Sequence, residues 1–500
     1  MNRTLTNILY SFIAVVIAKC FGITQTFFLA KILEPSDYGV WISMLLIISY
    51  APIANFGTIE ALLKQFPYFT GKGKLARAKE IEDCVLGSTV LSTILILIIG
   101  FTFHFVIKSQ SVESLLPLLR VMFVTSALSL LSAYSYYRFP ARHNFKIVSI
   151  IDTTRAFLSF FLVVSFSWFW GLQGTVLGLL ITEVVICVFS GTLSINICGK
   201  LGINIDLKTI KNLIWIGFPI SLIWWIYIVQ TSADRLISIW MLGSKATGYY
   251  GLGVALVSIV ILLPRSVSRV LYPRVNEKIG ETISQQELRG LVIEPAQVLS
   301  LLLPLMIGTL ILLSPIIYHQ LLPKYSHGLV SAQILLAGSF FICLVRIGGN
   351  FVIAIDKQSS LLKYFVISLI VNILGNIAFV KLGYNIEGIA ISTSFSAALL
   401  TSLVWKSVFK NMGYTKIDQW KGILDLYLPF LLSLGLIGFF ILFVPDFLVK
   451  TGLLSLLHVI IFVTLFLAIV LFIAPFNKRA TKIYHLIKVN MRSKSHALIH

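Results

Sequence analysis

Apolar stretches long enough to cross a lipid bilayer recur along the whole chain. A helix that crosses the hydrocarbon core needs about 20 mostly apolar residues. Fourteen such stretches lie near residues 6–32, 38–62, 84–106, 114–137, 147–169, 172–196, 213–241, 246–270, 291–320, 327–354, 360–380, 386–408, 424–444 and 453–475. The sequence therefore predicts an all-α polytopic membrane protein with fourteen transmembrane helices.

The composition excludes the main soluble classes. Of the 500 residues, 57% are hydrophobic and 12% are charged, whereas soluble chains carry about 25% charged residues. The five cysteines form no CxxC pair, which excludes a disulfide-rich secreted scaffold. The sequence shows no metal-ligand spacing and no cofactor motif, so we expect neither a metal nor a cofactor.

The basic residues lie mainly on one side of the predicted membrane. With the N-terminus placed inside, 29 of the 40 Lys and Arg residues fall in inner loops or the C-terminal tail, five fall outside and six lie within spans. Cytoplasmic loops carry this excess in membrane proteins. We therefore expect both termini in the cytoplasm, and the net charge of +20 needs no nucleic acid to explain it.

A repeated turn suggests an internal duplication. The segment LEPSDYGVW at 33–41 and the segment LGSKATGYY at 242–250 share the pattern Leu-x5-Gly-x-aromatic at an offset of 209 residues. Gly174 and Gly388, which follow later predicted turns, are 214 residues apart. Two matches at nearly one offset predict two six-helix lobes of the same orientation, an architecture of transporters.

The repeat leads to a division of the chain into four parts. We predict an N-terminal six-helix lobe at 1–200, a C-terminal six-helix lobe at 201–412, helices 13 and 14 at 413–476, and a basic cytoplasmic tail at 477–500. The two lobes are expected to be pseudo-symmetric around a central cavity.

Several segments resemble Wzx-type polysaccharide flippases of the multidrug/oligosaccharidyl-lipid/polysaccharide (MOP) exporter superfamily. The resemblance is carried by FLAKILEPSDYGVW at 28–41, NFG at 55–57, SADRLI at 232–237, LPKY at 322–325 and YNIEGIA at 384–390. The same superfamily holds the lipid II flippases and the MATE drug exporters. The resemblance implies a bacterial inner-membrane transporter that flips undecaprenyl-pyrophosphate-linked oligosaccharide from the cytoplasmic to the periplasmic leaflet for O-antigen and lipopolysaccharide synthesis.

The resemblance also implies what the transporter works with. The expected partners are the lipid-linked oligosaccharide, membrane lipids, a polysaccharide polymerase and a chain-length regulator. A proton or sodium gradient is a plausible energy source by analogy with the superfamily.

Cations inside the spans are the candidate substrate-binding residues. A pyrophosphate must cross about 30 Å of hydrocarbon, so the protein has to offer fixed positive charge in a cavity. The candidates are Lys19, Arg120, Arg155, Arg235 and Arg346. Lys19 is the deepest cation, and it either binds the pyrophosphate or neutralises a buried carboxylate such as Glu183. The arginines at 120, 235 and 346 either line the cavity or reach towards the headgroups.

Three acidic residues inside the spans leave two roles open. Glu183 is expected either to couple transport to an ion or to form an ion pair. Asp152 and Arg155 lie on one face of a helix and are expected to pair with each other. Asp234 and Arg235 are adjacent and point about 100° apart, so each needs its own partner.

The charged segment 71–83 is interpreted as an amphipathic helix on the cytoplasmic surface. Its charges are expected to form a solvated face.

Three alternative functions follow from the same residues. A membrane glycan polymerase or transferase is disfavoured, because the short outer loops carry no catalytic constellation. A MATE-like drug antiporter would need a cavity rich in carboxylates, whereas clearly intramembrane cations outnumber acids here. A lipid II flippase shares the same requirement for cations, and only the weaker family landmarks separate it from the first choice.

Overall fold

The computed structural model describes residues 3–106, 113–142, 144–280, 285–443 and 452–472, and these residues form helices and short connections. The α-helices in chain order are α1 (Arg3–Ile32), α2 (Pro35–Tyr50), α3 (Thr58–Gly71), α4 (Leu75–Val106), α5 (Leu116–Tyr137), α6 (Phe145–Cys198), α7 (Leu207–Met241), α8 (Gly243–Gly280), α9 (Gln285–Ile316), α10 (Leu329–Ala354), α11 (Gln358–Lys381), α12 (Asn385–Asn411), α13 (Lys416–Phe443) and α14 (Gly452–Phe472). The prediction of an all-α fold is confirmed.

Within the described ranges, ten helical segments are long and apolar enough to span a membrane, or eleven if the bent helix α7 is included. Helices satisfy their own backbone hydrogen bonds, which is the requirement for crossing hydrocarbon. The chain is thus a multi-pass membrane protein. The total of fourteen spans stays a prediction, since α6 is counted once although it has 54 residues.

The predicted stretch 38–62 is broken in the structure. Helix α2 ends at Tyr50, a short 3-10 helix covers Ala51–Asn55, and α3 begins at Thr58. The two residues between them, Phe56 and Gly57, have φ values of 49° and 85°. A left-handed pair of residues cannot continue a right-handed helix, so the chain turns here.

Helix α6 is bent back at Trp170 and Gly171. Trp170 has φ −129° and ψ 17°, and Gly171 has φ 54° and ψ −133°. Glycine adopts such a positive φ without the clash that a Cβ atom would cause. The break falls between the predicted stretches 147–169 and 172–196, so α6 consists of two halves that pack against each other.

The chain divides into two compact units, Met1–Gly248 and Tyr249–His500. In the N-terminal unit a hydrophobic core lies between α3, α4, α5 and α7, and α1 packs along α6. In the C-terminal unit α10 packs on α12, and α9 packs on α13 and α14. The predicted boundaries at residues 200, 412 and 476 stay predictions.

The two glycines of the repeated turn touch each other inside the N-terminal unit. A Cβ atom on Gly39 would lie 1.8 Å from the Ser244 carbonyl oxygen, and one on Gly248 would lie 1.9 Å from the Pro35 carbonyl oxygen. Ser244 and Pro35 are themselves 209 residues apart. The contact between α2 and the first turn of α8 is therefore reciprocal and requires glycine on both sides.

Candidate functional site

Arg155 and Glu183 face each other across the two halves of α6. The Arg155 Nη2 atom lies 3.4 Å from the Glu183 Oε2 atom. The Glu183 side chain is 8% exposed and the Arg155 side chain 36%. The bend at Gly171 explains the meeting, because it folds the second half of α6 back against the first. The ion pair therefore lies well inside a membrane-spanning segment.

Neighbouring polar groups extend this pair into a cluster with α5. The Arg155 Nη2 group also donates a hydrogen bond of 2.9 Å to the Ser132 Oγ atom. The Tyr136 hydroxyl donates a hydrogen bond of 3.2 Å to the Asp152 Oδ2 atom. We call the five residues Ser132, Tyr136, Asp152, Arg155 and Glu183 the Arg155 cluster. It combines one cation with two carboxylates and two hydroxyl groups.

The Arg155 cluster has unused hydrogen-bonding capacity. Among the described residues, neither the buried Arg155 Nε atom nor the buried Glu183 Oε2 atom has a hydrogen-bond partner. A guanidinium offers five N–H donors in a planar fork that matches phosphate oxygens. A partly exposed guanidinium with donors to spare can bind an anionic group.

Helix α1 packs against the first half of α6. Phe21 contacts Phe157 and Phe160 at ring-centroid distances of 5.7 and 5.6 Å. The Ser159 hydroxyl donates a hydrogen bond of 3.1 Å to the Gln25 side-chain oxygen. Lys19 is half-buried and precedes Phe21 by two residues on α1. The predicted cation of α1 therefore sits on the helix that packs along the Arg155 helix.

The other predicted residues lie on different helices. Arg120 is exposed on α5. On α7, Asp234 is buried, and the Arg235 Nη2 group donates a hydrogen bond of 3.2 Å to the Thr231 carbonyl oxygen. Arg346 is half-buried on α10 in the C-terminal unit. The structure thus brings Asp152, Arg155 and Glu183 into one cluster, and the functional roles of all eight predicted residues stay predictions.

A second charged cluster was missed by the sequence analysis. Glu82 on α4 and Arg138 after α5 are both fully buried and form a two-point ion pair. The Arg138 Nε and Nη2 atoms donate to the two Glu82 carboxylate oxygens at 2.8 and 3.2 Å. Arg142 approaches the same carboxylate at 2.7 Å. The interpretation of segment 71–83 as a solvated face is wrong at Glu82.

The remaining donors of Arg138 bind the end of α6. Its Nη1 group donates to the Ser194 hydroxyl at 2.7 Å, and its Nη2 group donates to the Gly199 carbonyl oxygen at 3.0 Å. The Tyr134 hydroxyl donates to the Glu82 carbonyl oxygen at 3.2 Å. The pair therefore joins α4, α5 and α6, and we call Glu82, Arg138 and Arg142 the Glu82 clamp.

One signal in the sequence pointed to the buried position of Glu82. Ala78, Glu82, Val85 and Thr89 recur at helical spacing on one face of α4, and all four are buried. A single carboxylate on an otherwise small and apolar face indicates a charge that packs inside. Counting Arg138 and Arg142 only as cytoplasmic loop charges hid their partner.

Solved structures of several membrane transporters share this fold. The lipid II flippase MurJ in an inward closed conformation matches with a TM-score of 0.72 and 17% identity, over 93% of this chain and 99% of that chain. An inward-facing multidrug resistance MATE family transporter of the MOP superfamily matches with a TM-score of 0.67 and 12% identity, over 79% of this chain and 94% of that chain.

A MOP superfamily transporter from Pyrococcus furiosus, described as having a binding pocket of reverse polarity, matches with a TM-score of 0.54 and 12% identity over 81% of this chain and 94% of that chain. At these identities the likeness shows the fold alone, which this chain shares with these transporters. No curated protein matches the chain in sequence.

The sequence itself matches a family profile over more than half of its length. A profile described as "Polysaccharide biosynthesis protein" covers residues 28–327. This range includes α2 to α9 and both copies of the repeated turn. The match shows that the chain belongs to the polysaccharide biosynthesis protein family.

Proposed function

We propose that this protein is a Wzx-type flippase, which moves undecaprenyl-pyrophosphate-linked oligosaccharide from the cytoplasmic to the periplasmic leaflet of the bacterial inner membrane. The observation that carries the proposal is the Arg155 cluster, an incompletely bonded guanidinium inside a span of a polysaccharide biosynthesis protein. The protein acts as a transporter rather than an enzyme, with both termini in the cytoplasm. Its product enters surface polysaccharide synthesis.

The chemistry of the substrate supports this choice. The pyrophosphate is the part of the substrate that hydrocarbon excludes most strongly, whereas the polyprenyl tail can stay in lipid. A charged side chain inside a membrane is costly unless it has a partner or a function. Arg155 retains 36% side-chain exposure, which leaves part of its side chain accessible to a phosphate group. Lys19, Arg120, Arg235 and Arg346 are proposed to supply further positive charge along the route.

Glu183 is proposed to govern how Arg155 is used. While the carboxylate is ionised, it attracts the guanidinium and competes with a pyrophosphate for it. Protonation of Glu183 would release Arg155 to the substrate, which gives a simple route by which a proton gradient drives transport. Asp152 and Asp234 are further candidates for ion coupling.

The fold supports one second candidate. The lipid II flippase matches over 99% of its own chain, and lipid II flipping places the same demand for cations on the cavity. The two candidates separate in cells. We expect the gene to restore surface polysaccharide in a strain without its own oligosaccharide flippase, and not to rescue a strain depleted of its lipid II flippase. Rescue of only the second strain would overturn the proposed substrate.

Lys19 and Arg155 are tested in the same strain. We expect Lys19→Ala and Arg155→Gln each to lower surface polysaccharide at least about tenfold at unchanged protein level, because each removes a charge-assisted phosphate contact. Lys146→Gln is the matched control, since Lys146 is an exposed cation on α6. Normal export by Lys19→Ala would remove Lys19 from the proposed route, and normal export by Arg155→Gln would do the same for Arg155.

A further inference from the structure

A cavity of about 420 Å³ lies at one end of the C-terminal unit. It is formed by the start of α9, the end of α12 and the start of α13. The basic residues of the adjoining loops lead us to expect this end of the helices in the cytoplasm. Its polar lining includes Arg289, Tyr414, Asp418, Lys421 and Asp425. Nothing in the proposed transport route uses these residues.

Arg289 is held across the mouth of this cavity. Its Nη2 group donates a hydrogen bond of 3.2 Å to the Met412 carbonyl oxygen, and its guanidinium lies 4.5 Å from the centre of the Tyr414 ring. Within the described part of the chain, its buried Nε atom has no hydrogen-bond partner. The guanidinium is thus fixed in place beside the cavity that Arg289 lines.

The charges of the lining balance. Arg289 and Lys421 contribute two positive charges, and Asp418 and Asp425 contribute two negative charges. A balanced lining gives no net attraction to a strongly anionic molecule. It instead suits a ligand that carries one phosphate and one ammonium group.

The apolar surroundings indicate that the ligand is a lipid. The cavity floor includes Ile293, Phe409 and Leu426. Exposed apolar side chains form a stripe on the neighbouring face of α13, beside the cavity: Ile417, Trp420, Leu424, Leu428 and Leu431. A headgroup in the cavity would leave its acyl chains against this stripe.

We propose that this cavity binds a phospholipid with a phosphoethanolamine headgroup from the adjacent leaflet. The phosphate binds Arg289 and Lys421, and the primary ammonium donates hydrogen bonds to Asp418 and Asp425. A choline headgroup has no N–H donor for these carboxylates. Its other usual partner, an aromatic face, is already covered at Tyr414 by Arg289.

The proposal is tested by lipid retention. The full chain is purified into mixed micelles with equal amounts of phosphatidylethanolamine, phosphatidylglycerol and phosphatidylcholine, and bound lipid is counted by native mass spectrometry. We expect the wild-type protein to retain phosphatidylethanolamine preferentially. Equal retention of the three lipids, or a preference for phosphatidylglycerol, would overturn the proposal.

Two variants and a control locate the site. Lys421→Gln should lower phosphatidylethanolamine retention about tenfold, because one charge-assisted hydrogen bond is lost. Asp425→Asn should shift the preference towards phosphatidylglycerol, a reversal that loss of folding cannot produce. Lys410→Gln, an exposed cation on α12 outside the lining, should leave retention unchanged. Unchanged selectivity in both lining variants would contradict the assignment.

A final experiment tests whether the cavity binds the whole lipid or only its headgroup. Soluble glycerophosphoethanolamine at the same concentration should not displace the bound lipid, since the acyl chains on α13 contribute to binding. Full displacement by the soluble headgroup would show that the cavity binds a free phosphate compound and would overturn the assignment to a membrane lipid.

Discussion

The N-terminal unit contains two arginine–glutamate pairs that differ in burial and in how fully their atoms are bonded. In the Glu82 clamp, Arg138 makes two hydrogen bonds to Glu82 and reaches the Ser194 hydroxyl and the Gly199 carbonyl oxygen. In the Arg155 cluster, the single contact to Glu183 is 3.4 Å long, and polar atoms on both sides lack hydrogen bonds within the described residues.

This difference separates charges that hold helices together from charges that can act on a substrate. A fully bonded pair in a closed site has nothing left to offer and is costly to break. A pair with free donors and an exposed side can exchange its partner for another anion at small cost. The number of hydrogen bonds that each charged group makes, rather than its depth in the membrane, therefore distinguishes a structural charge from a substrate-binding one here.

The largest expected effect on stability is at Glu82. Glu82→Leu should lower the free energy of unfolding by about 3–5 kcal/mol, because Arg138 would stay buried without its carboxylate. A denaturing-detergent titration of the purified protein measures this loss. Glu80→Leu is the matched control. Glu80 pairs with Arg77 at a site where the two side chains are 36% and 42% exposed, and such pairs contribute about 0–1 kcal/mol.

A related substitution checks the logic of the Glu82 clamp. Arg138→Met should cost less than Glu82→Leu, since Glu82 would keep Arg142 at 2.7 Å. The opposite order, or equal losses for Glu82→Leu and Glu80→Leu, would contradict the view that the clamp is a closed structural pair.

A smaller effect on stability is expected at Arg155, where transport is affected instead. Arg155→Gln should lower the free energy of unfolding by about 1–3 kcal/mol, because the buried Glu183 carboxylate loses its 3.4 Å contact to the guanidinium. The same titration gives the value, and polysaccharide export gives the functional loss. A stability loss as large as that of Glu82→Leu would make Arg155 a structural residue and remove the contrast between the two pairs.

The smallest effect is expected at a third charge, which is bonded but faces solvent. Asp206 caps α7 by accepting hydrogen bonds from the Lys208 and Thr209 backbone N–H groups at 3.2 and 3.1 Å. The hydrogen bonds from Thr209 lower the pKa of Asp206 below its ordinary value of 3.8. Its contribution to stability is therefore present above pH 3.8 and is lost as the pH falls through the lowered pKa.

The test at Asp206 is a comparison across acid pH. In Asp206→Asn, the free energy of unfolding should fall less steeply as the pH is lowered below 4. Near pH 7 it should be almost unchanged, because asparagine also caps helices well. Thermal unfolding at a series of pH values measures it. If the variant loses stability below pH 4 as steeply as the wild-type protein, the Asp206 carboxylate contributes nothing measurable to the pH dependence of stability.

Helices were predictable from the sequence because hydrocarbon permits few alternatives. Apolar length alone located most spans, and the gap between two stretches located the bend at Gly171. The break at Phe56 and Gly57 was missed, since apolar residues continue through it. An apolar sequence indicates that a segment lies in lipid or in the protein interior, but it does not show where the helix breaks.

Partners of the charges were much less predictable than their positions. Arg155 and Glu183 stood out as intramembrane charges, but they are 28 residues apart and meet only because α6 folds back. The local rule paired Arg155 with Asp152, and that pairing stays a prediction; the hydrogen bond that Asp152 accepts from Tyr136 was not foreseen. Glu82 and Arg138 are 56 residues apart, and each looked like an ordinary loop charge.

The contact between Gly39 and Gly248 has a consequence for how the repeat can change. Gly39 packs against the carbonyl oxygen of Ser244, four residues before Gly248, and Gly248 packs against the carbonyl oxygen of Pro35, four residues before Gly39. The same reciprocity is found in an isologous interface between two identical subunits. A side chain added at either position would push apart the same two helices, α2 and α8. Substitutions at the two sites are therefore thermodynamically coupled, so their costs do not simply add. The two copies of this turn can drift apart in sequence only where they do not touch.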